Sequence, residues 1–116
     1  MLIAVLLLTS NCYYDNEAVL YPDSANCTDV PNPAFSTDIL PILNARCNNC
    51  HGGSSPSADI KLDTYNDVTR YVNNGSLMGS INHSSGYSAM PKNSSKLSSC
   101  QVTKIQNWIT SGSLNN

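Results

Sequence analysis

The sequence predicts a small all-α domain, and three observations carry that prediction. Apolar residues recur at spacings of three to four in three separate stretches, no stretch alternates as a strand would, and 116 residues suffice for one small domain rather than two. The first stretch, STDILPILNARC from about Ser36, places Ile39, Leu40, Leu43 and Cys47 on one face, with Thr37 or Asp38 as N-cap. Pro41 falls near the end of its first turn, where a missing amide hydrogen costs little. The second opens at TYND, where Thr64 and Asp67 form a capping box. Tyr65, Val68 and Val72 share a face before Gly75 ends the pattern. The third opens at SSCQ, with Ser98 and Gln101 as a second box and Val102, Ile105, Trp108 and Ile109 as the buried stripe before Gly112.

The chain ahead of these helices reads differently. Leu2–Leu8 is an uncharged apolar run followed by small and polar residues, the hydrophobic part of an export signal; it falls short of the roughly 20 residues a spanning helix needs. The run LLLTSNC resembles a bacterial lipoprotein signal, which implies cleavage before Cys12 and lipid on that residue. Residues 1–11 are thus expected to be a signal peptide. Residues 12–35, with three prolines and no sustained period, form a tether and an irregular N-terminal wrap, and residues 36–116 form the domain proper. A formal charge of −2 argues against nucleic acid as a partner. Charged residues make up 12% of the chain, about half the usual share, so neutral Ser and Asn keep the surface soluble.

Three short helices and a single Trp are a thin core, and small domains of this kind need a staple. The stretch ARCNNCHGG supplies the means for one. Cys47-Asn-Asn-Cys50-His51 is the C-x-x-C-H signature for covalent attachment of c-type haem. Two thiols three residues apart on a helical turn can reach the two vinyl groups on one porphyrin edge. The next residue, His51, then lies under the iron. A thioredoxin-like use of the same cysteines needs a βαβ pattern, which is missing. Zinc needs four ligands, and although Cys47, Cys50, Cys100 or His83 could be enlisted, the adjacent Cys50 and His51 diverge too far to serve one ion.

With Met90-Pro91 in the later polar loop YSAMPKN and a terminal amphipathic helix carrying Trp108, the C-x-x-C-H chain resembles a bacterial monohaem class I cytochrome c over roughly residues 27–114. The Gly-rich segment after His51 and the run NGSLMGSINH further resemble the small lipoprotein cytochromes of Bacteroidota. The resemblance implies a cytochrome c-like fold, several short helices wrapped around one haem c, with Cys47 and Cys50 as thioether links, His51 as proximal iron ligand and Met90 as distal ligand. Met78, in an apolar pattern with Leu77 and Ile81, reads as packing, and His83 as a hydrogen-bonding loop residue; either remains an alternative sixth ligand. Trp108 reads as core. Tyr65, Tyr71 and Tyr87 are open between propionate bonding and packing.

Five cysteines, less one for lipid and two for haem, leave Cys27 and Cys100 as an expected disulfide. Closing this loop of 73 residues (100 − 27) is worth about 4 kcal/mol on the loop-entropy model, and an unlipidated Cys12 would compete for either partner. A His/Met haem has no open site for substrate, which implies an electron carrier rather than an enzyme, anchored by lipid on the periplasmic or outer face of a bacterial membrane and working between redox partner proteins. The alternatives are a haem enzyme or gas sensor for peroxide, CO or NO with a labile distal ligand, and a non-redox lipoprotein stapled by disulfide or zinc. With few basic residues for steering, electron transfer is expected to depend little on salt.

Overall fold

The computed structural model describes residues 28–116. Among these residues there are helices and no strands, as the periodicity predicts. The signal segment, Cys12 and Cys27 lie outside the described residues.

Residues 28–34 run irregularly, as a segment holding Pro31 and Pro33 must. They lie along the last helix. Asn107 Nδ2 donates to the Val30 carbonyl at 3.2 Å, and Ser111 Oγ donates to Asn32 Oδ1 at 3.2 Å. Phe35, counted with the wrap on sequence grounds, is 5% exposed and belongs to the core.

The first helix begins as a wide π-turn, Phe35–Ile39, and continues as α1, Leu40–Arg46. Pro41 is the physical reason for the change in pitch. Its nitrogen has no hydrogen to give and its ring would crowd the carbonyl four residues back, so the preceding turn opens until Ile39 bonds to Ala34, five residues away, at 3.3 Å. The N-cap is Ala34, which offers no side-chain oxygen, rather than Thr37 or Asp38. Asp38 still serves this end from inside the turn, its Oδ2 accepting from the Ala34 N–H at 2.9 Å. Ile39 and Leu43 are fully buried; Ile42, absent from the predicted stripe, is buried beside them.

α2 is a single turn, Asn48–His51. α3, Tyr65–Asn73, carries the expected Thr64 cap: Thr64 Oγ1 accepts from the Asp67 N–H and donates to the Asp67 carboxylate at 2.6 Å. α4, Ser76–Ile81, is a helix the sequence did not announce, since six residues between Gly75 and an exposed loop are too few to show a period. Gly75, at φ 77°, allows the sharp junction with α3. Gly79 leaves room for the Tyr87 ring, which lies where a Cβ would project. α5, Ser99–Thr110, has the complete Ser98/Gln101 capping box.

The core gathers around Trp108, which is fully buried. Phe35 packs against it at a centroid distance of 5.5 Å and meets Tyr65 edge-on at 5.4 Å, so three aromatic rings join the π-turn, α3 and α5. The carboxyl-terminal residues close over this cluster. Trp108 Nε1 donates to the Leu114 carbonyl at 3.0 Å, Tyr65 OH donates to the Ser113 carbonyl at 2.8 Å, and the Ser36 N–H donates to the Asn116 carbonyl at 2.8 Å. Among the described residues no helix is long and apolar enough to cross a membrane.

Candidate functional site

Cys47 joins α1 to α2, and its carbonyl does two jobs. It accepts the N–H of Cys50 at 3.1 Å and that of His51 at 2.9 Å, while its own N–H donates to Leu43 at 2.8 Å. The backbone of the C-x-x-C-H turn is thereby fixed by its own hydrogen bonds. Cys47 and Cys50 are free thiols, whereas Cys100 is disulfide-bonded. The partner of Cys100 lies outside the described residues, as does Cys27, which the cysteine count pairs with it.

The ring of His51 is aimed by the loop that follows. Its Nδ1 lies 3.1 Å from the Ile60 carbonyl, and a carbonyl can only accept, so Nδ1 carries the proton. Nε2 has no hydrogen-bond partner among the described residues, and when unprotonated it presents the lone pair an iron ligand needs. The loop is held in turn: the His51 carbonyl accepts from the Leu62 N–H at 2.8 Å, and the Gly53 N–H donates to Asp63 Oδ2 at 2.9 Å. Gly52 has no room for a side chain, since a Cβ would lie 2.5 Å from the Asn48 carbonyl oxygen and 2.6 Å from Asp63 Oδ1. Gly52→Ala should destabilise the protein by about 1–3 kcal/mol, measured as a lowered melting temperature, because the backbone it meets cannot yield.

The two thiols differ in setting. Cys50 is exposed, whereas Cys47 is half-buried against the core, and that burial pushes its thiol up from 9.0 to about 11 against a smaller opposing pull from the Arg46 guanidinium. A thiol raised in this way is a poor redox nucleophile, which must act as thiolate. Its linkage to stability has a definite sign. The folded chain holds this proton more tightly than the unfolded one, so stability is intact below about pH 9 and falls as pH rises toward 11. Haem-free protein should show this alkaline loss in its melting temperature, and protein whose Cys47 sulfur is tied up as a thioether should lack it. At pH 8, iodoacetamide should label Cys50 well before Cys47, read by peptide mass spectrometry, and urea should erase the difference.

The distal candidates separate clearly. Residues 82–89 are all exposed, after which Met90 and Pro91 dip back to half-buried positions. The Met90 N–H donates to the Ser80 carbonyl at 3.1 Å, and the Met90 carbonyl accepts from His83 Nε2 at 2.9 Å. Met90 stands outside the hydrophobic cluster, so its thioether is not consumed in packing; Met78 packs against that cluster, as its apolar neighbours suggested. His83 is exposed and its Nε2 is already engaged. Tyr65 spends its hydroxyl on Ser113 and Trp108 its N–H on Leu114, which makes both structural. Tyr87 is 44% exposed over Gly79.

No three His, Cys, Asp or Glu side chains converge to hold a metal ion among the described residues. With Cys100 in a disulfide and His83 turned to Met90, the zinc set considered from the sequence is not assembled. The C-x-x-C-H turn instead offers one aimed imidazole and two free thiols, and Met90, on its own loop, offers a thioether that stands outside the hydrophobic cluster. The signal that sequence reasoning missed is the Ile60 carbonyl, because a backbone acceptor has no residue type to reveal it. Comparison with protein-family models, with curated proteins and with solved structures finds no match to this chain.

Proposed function

We propose that this protein is an electron carrier holding one covalently attached haem c, with Cys47 and Cys50 as its thioether links, His51 as proximal ligand and Met90 as distal ligand. The observation that carries the reading is the His51 ring: it sits one residue after Cys50 on a self-bonded turn, with Nδ1 spent on Ile60 and Nε2 without a partner among the described residues. The residues present fit the group. Bound there, haem supplies a one-electron couple, ferric to ferrous.

Everything else is done by the chain. The Ile60 carbonyl fixes the tautomer of His51 and raises the basicity of its ligating nitrogen. The Met90 segment, whose N–H donates to the Ser80 carbonyl, would offer the iron a soft thioether that favours the ferrous state and would leave no position for a substrate. Only 12% of the chain's residues are charged, which suits brief docking with redox partners over a small area. We place the protein outside the cytoplasm, held to a membrane by lipid on Cys12, and pair Cys27 with Cys100 as a staple between the wrap and the start of α5.

The test is the optical spectrum of protein matured with haem, oxidised and reduced, followed by CO. A c-type reduced spectrum, a long-wavelength sulfur-to-iron band in the ferric form and indifference to CO are expected. Rapid CO binding without that band would move the weight to a sensor or enzyme, and absence of haem would sink both.

A further inference from the structure

We propose that His83 is the positioning residue for the distal ligand: its ring clamps the Met90 carbonyl and so fixes the segment that presents the thioether. The inference rests on Met90 being that ligand, and it deepens that reading by naming what holds the methionine in place.

Met90 is the return point of an exposed loop. It follows eight consecutive exposed residues, 82–89, which bury nothing that could position it. Its place is set by two main-chain bonds. One comes from α4, where the Ser80 carbonyl accepts the Met90 N–H at 3.1 Å. The other comes from two residues beyond that helix, where His83 Nε2 stands 2.9 Å from the Met90 carbonyl. A carbonyl has no proton to offer, so the histidine donates, and the bond spans the loop from its first turn to its last residue.

His83 takes a left-handed backbone, φ 59°, uncommon for a residue with a side chain. Its N–H bonds to the Ser80 carbonyl at 3.2 Å, the same oxygen that receives Met90. Ser80 and His83 therefore grip both polar groups of the Met90 backbone. Further ties, the Ser84 N–H to Gly79 at 2.9 Å, the Tyr87 N–H to Ser84 at 3.2 Å, Lys96 Nζ to the Asn82 carbonyl at 3.0 Å and the Tyr87 ring over Gly79, hold other parts of the loop and do not touch the Met90 backbone.

The experiment uses haem-loaded full-length protein as wild type, His83→Ala, His83→Gln and His83→Glu. Gln places an amide N–H near the position of Nε2; Glu has the same length and no such donor. The readouts are the rate at which imidazole displaces the distal ligand from ferric iron, the intensity of the sulfur-to-iron band and the reduction potential, with a circular dichroism melt to check the fold. Loss of one hydrogen bond to the segment should speed imidazole entry roughly tenfold in the Ala and Glu variants and lower their potential, and Gln should restore both. Wild-type rates and potential in His83→Ala overturn the proposal. Should the Ala variant fail to fold, the Gln and Glu pair decides: equal rates in the two overturn it. A wild type lacking the sulfur-to-iron band removes Met90 from the iron, and with it the reading on which the clamp depends.

Discussion

Protein carrying Cys47→Ser together with Cys50→Ser should retain no haem on a denaturing gel, where wild type made with the same cytochrome c maturation machinery stays coloured. Each single variant should keep one link at a reduced yield. The expectation follows from the geometry of one turn. Residues three apart in a helix lie on the same side and about 5 Å apart along its surface, and this turn is held by Cys47 accepting both the Cys50 and His51 N–H groups. On the proposed attachment, both sulfurs would then serve one edge of the haem and His51 would follow as ligand. Cys100→Ser serves as the control, because that sulfur is already in a disulfide and should have no part in attachment. A coloured band from the double variant would show that the thiols are not the links. A zinc-stapled protein would give the opposite signature, a colourless wild type whose metal is lost in the same variant.

The difference between what the sequence shows and what it hides is physical. The stripes of α1, α3 and α5 are legible because burial selects apolar side chains at a fixed period: Ile39, Leu43, Val68, Ile105 and Trp108 are all fully buried. The Thr64 and Ser98 caps are legible because capping needs a short oxygen-bearing side chain at one position. Ala34 is not, since Pro41 shifted the start of the helix by opening a turn, and no residue at the cap records it. α4 is hidden by its brevity. At the site, the C-x-x-C-H turn is written in five adjacent residues, whereas its supports are not. The Ile60 carbonyl that orients His51 and the Ser80 carbonyl that holds Met90 are main-chain atoms, placed by loops whose path depends on the left-handed turns at Ala58, Asp59 and His83. Backbone acceptors leave no trace in composition.

If Met90 is the distal ligand as proposed, Met90→Ala should give a ligand-binding haem protein. Without the thioether the sixth position would be open, so reduced protein should bind CO rapidly, the sulfur-to-iron band should vanish, and the reduction potential should fall by on the order of 100 mV or more. The sign comes from softness. A thioether binds ferrous iron better than ferric, and each 59 mV lost is about a tenfold loss of that preference. The same change should cost little folding stability, because Met90 stands outside the hydrophobic cluster and its backbone bonds to Ser80 and His83 do not involve its side chain. Met78→Leu should behave in reverse: it trims a side chain packed on that cluster, costs less than about 1.5 kcal/mol as a near-isosteric exchange, and leaves spectrum, potential and CO behaviour at wild-type values. The pair separates a ligand from a packing residue of the same type without relying on either result alone. If Met78→Leu opens the iron while Met90→Ala leaves it closed, the proposed assignments exchange. If neither opens it, a nitrogen ligand holds the sixth position, and the second histidine of the chain, His83, becomes the residue to replace next.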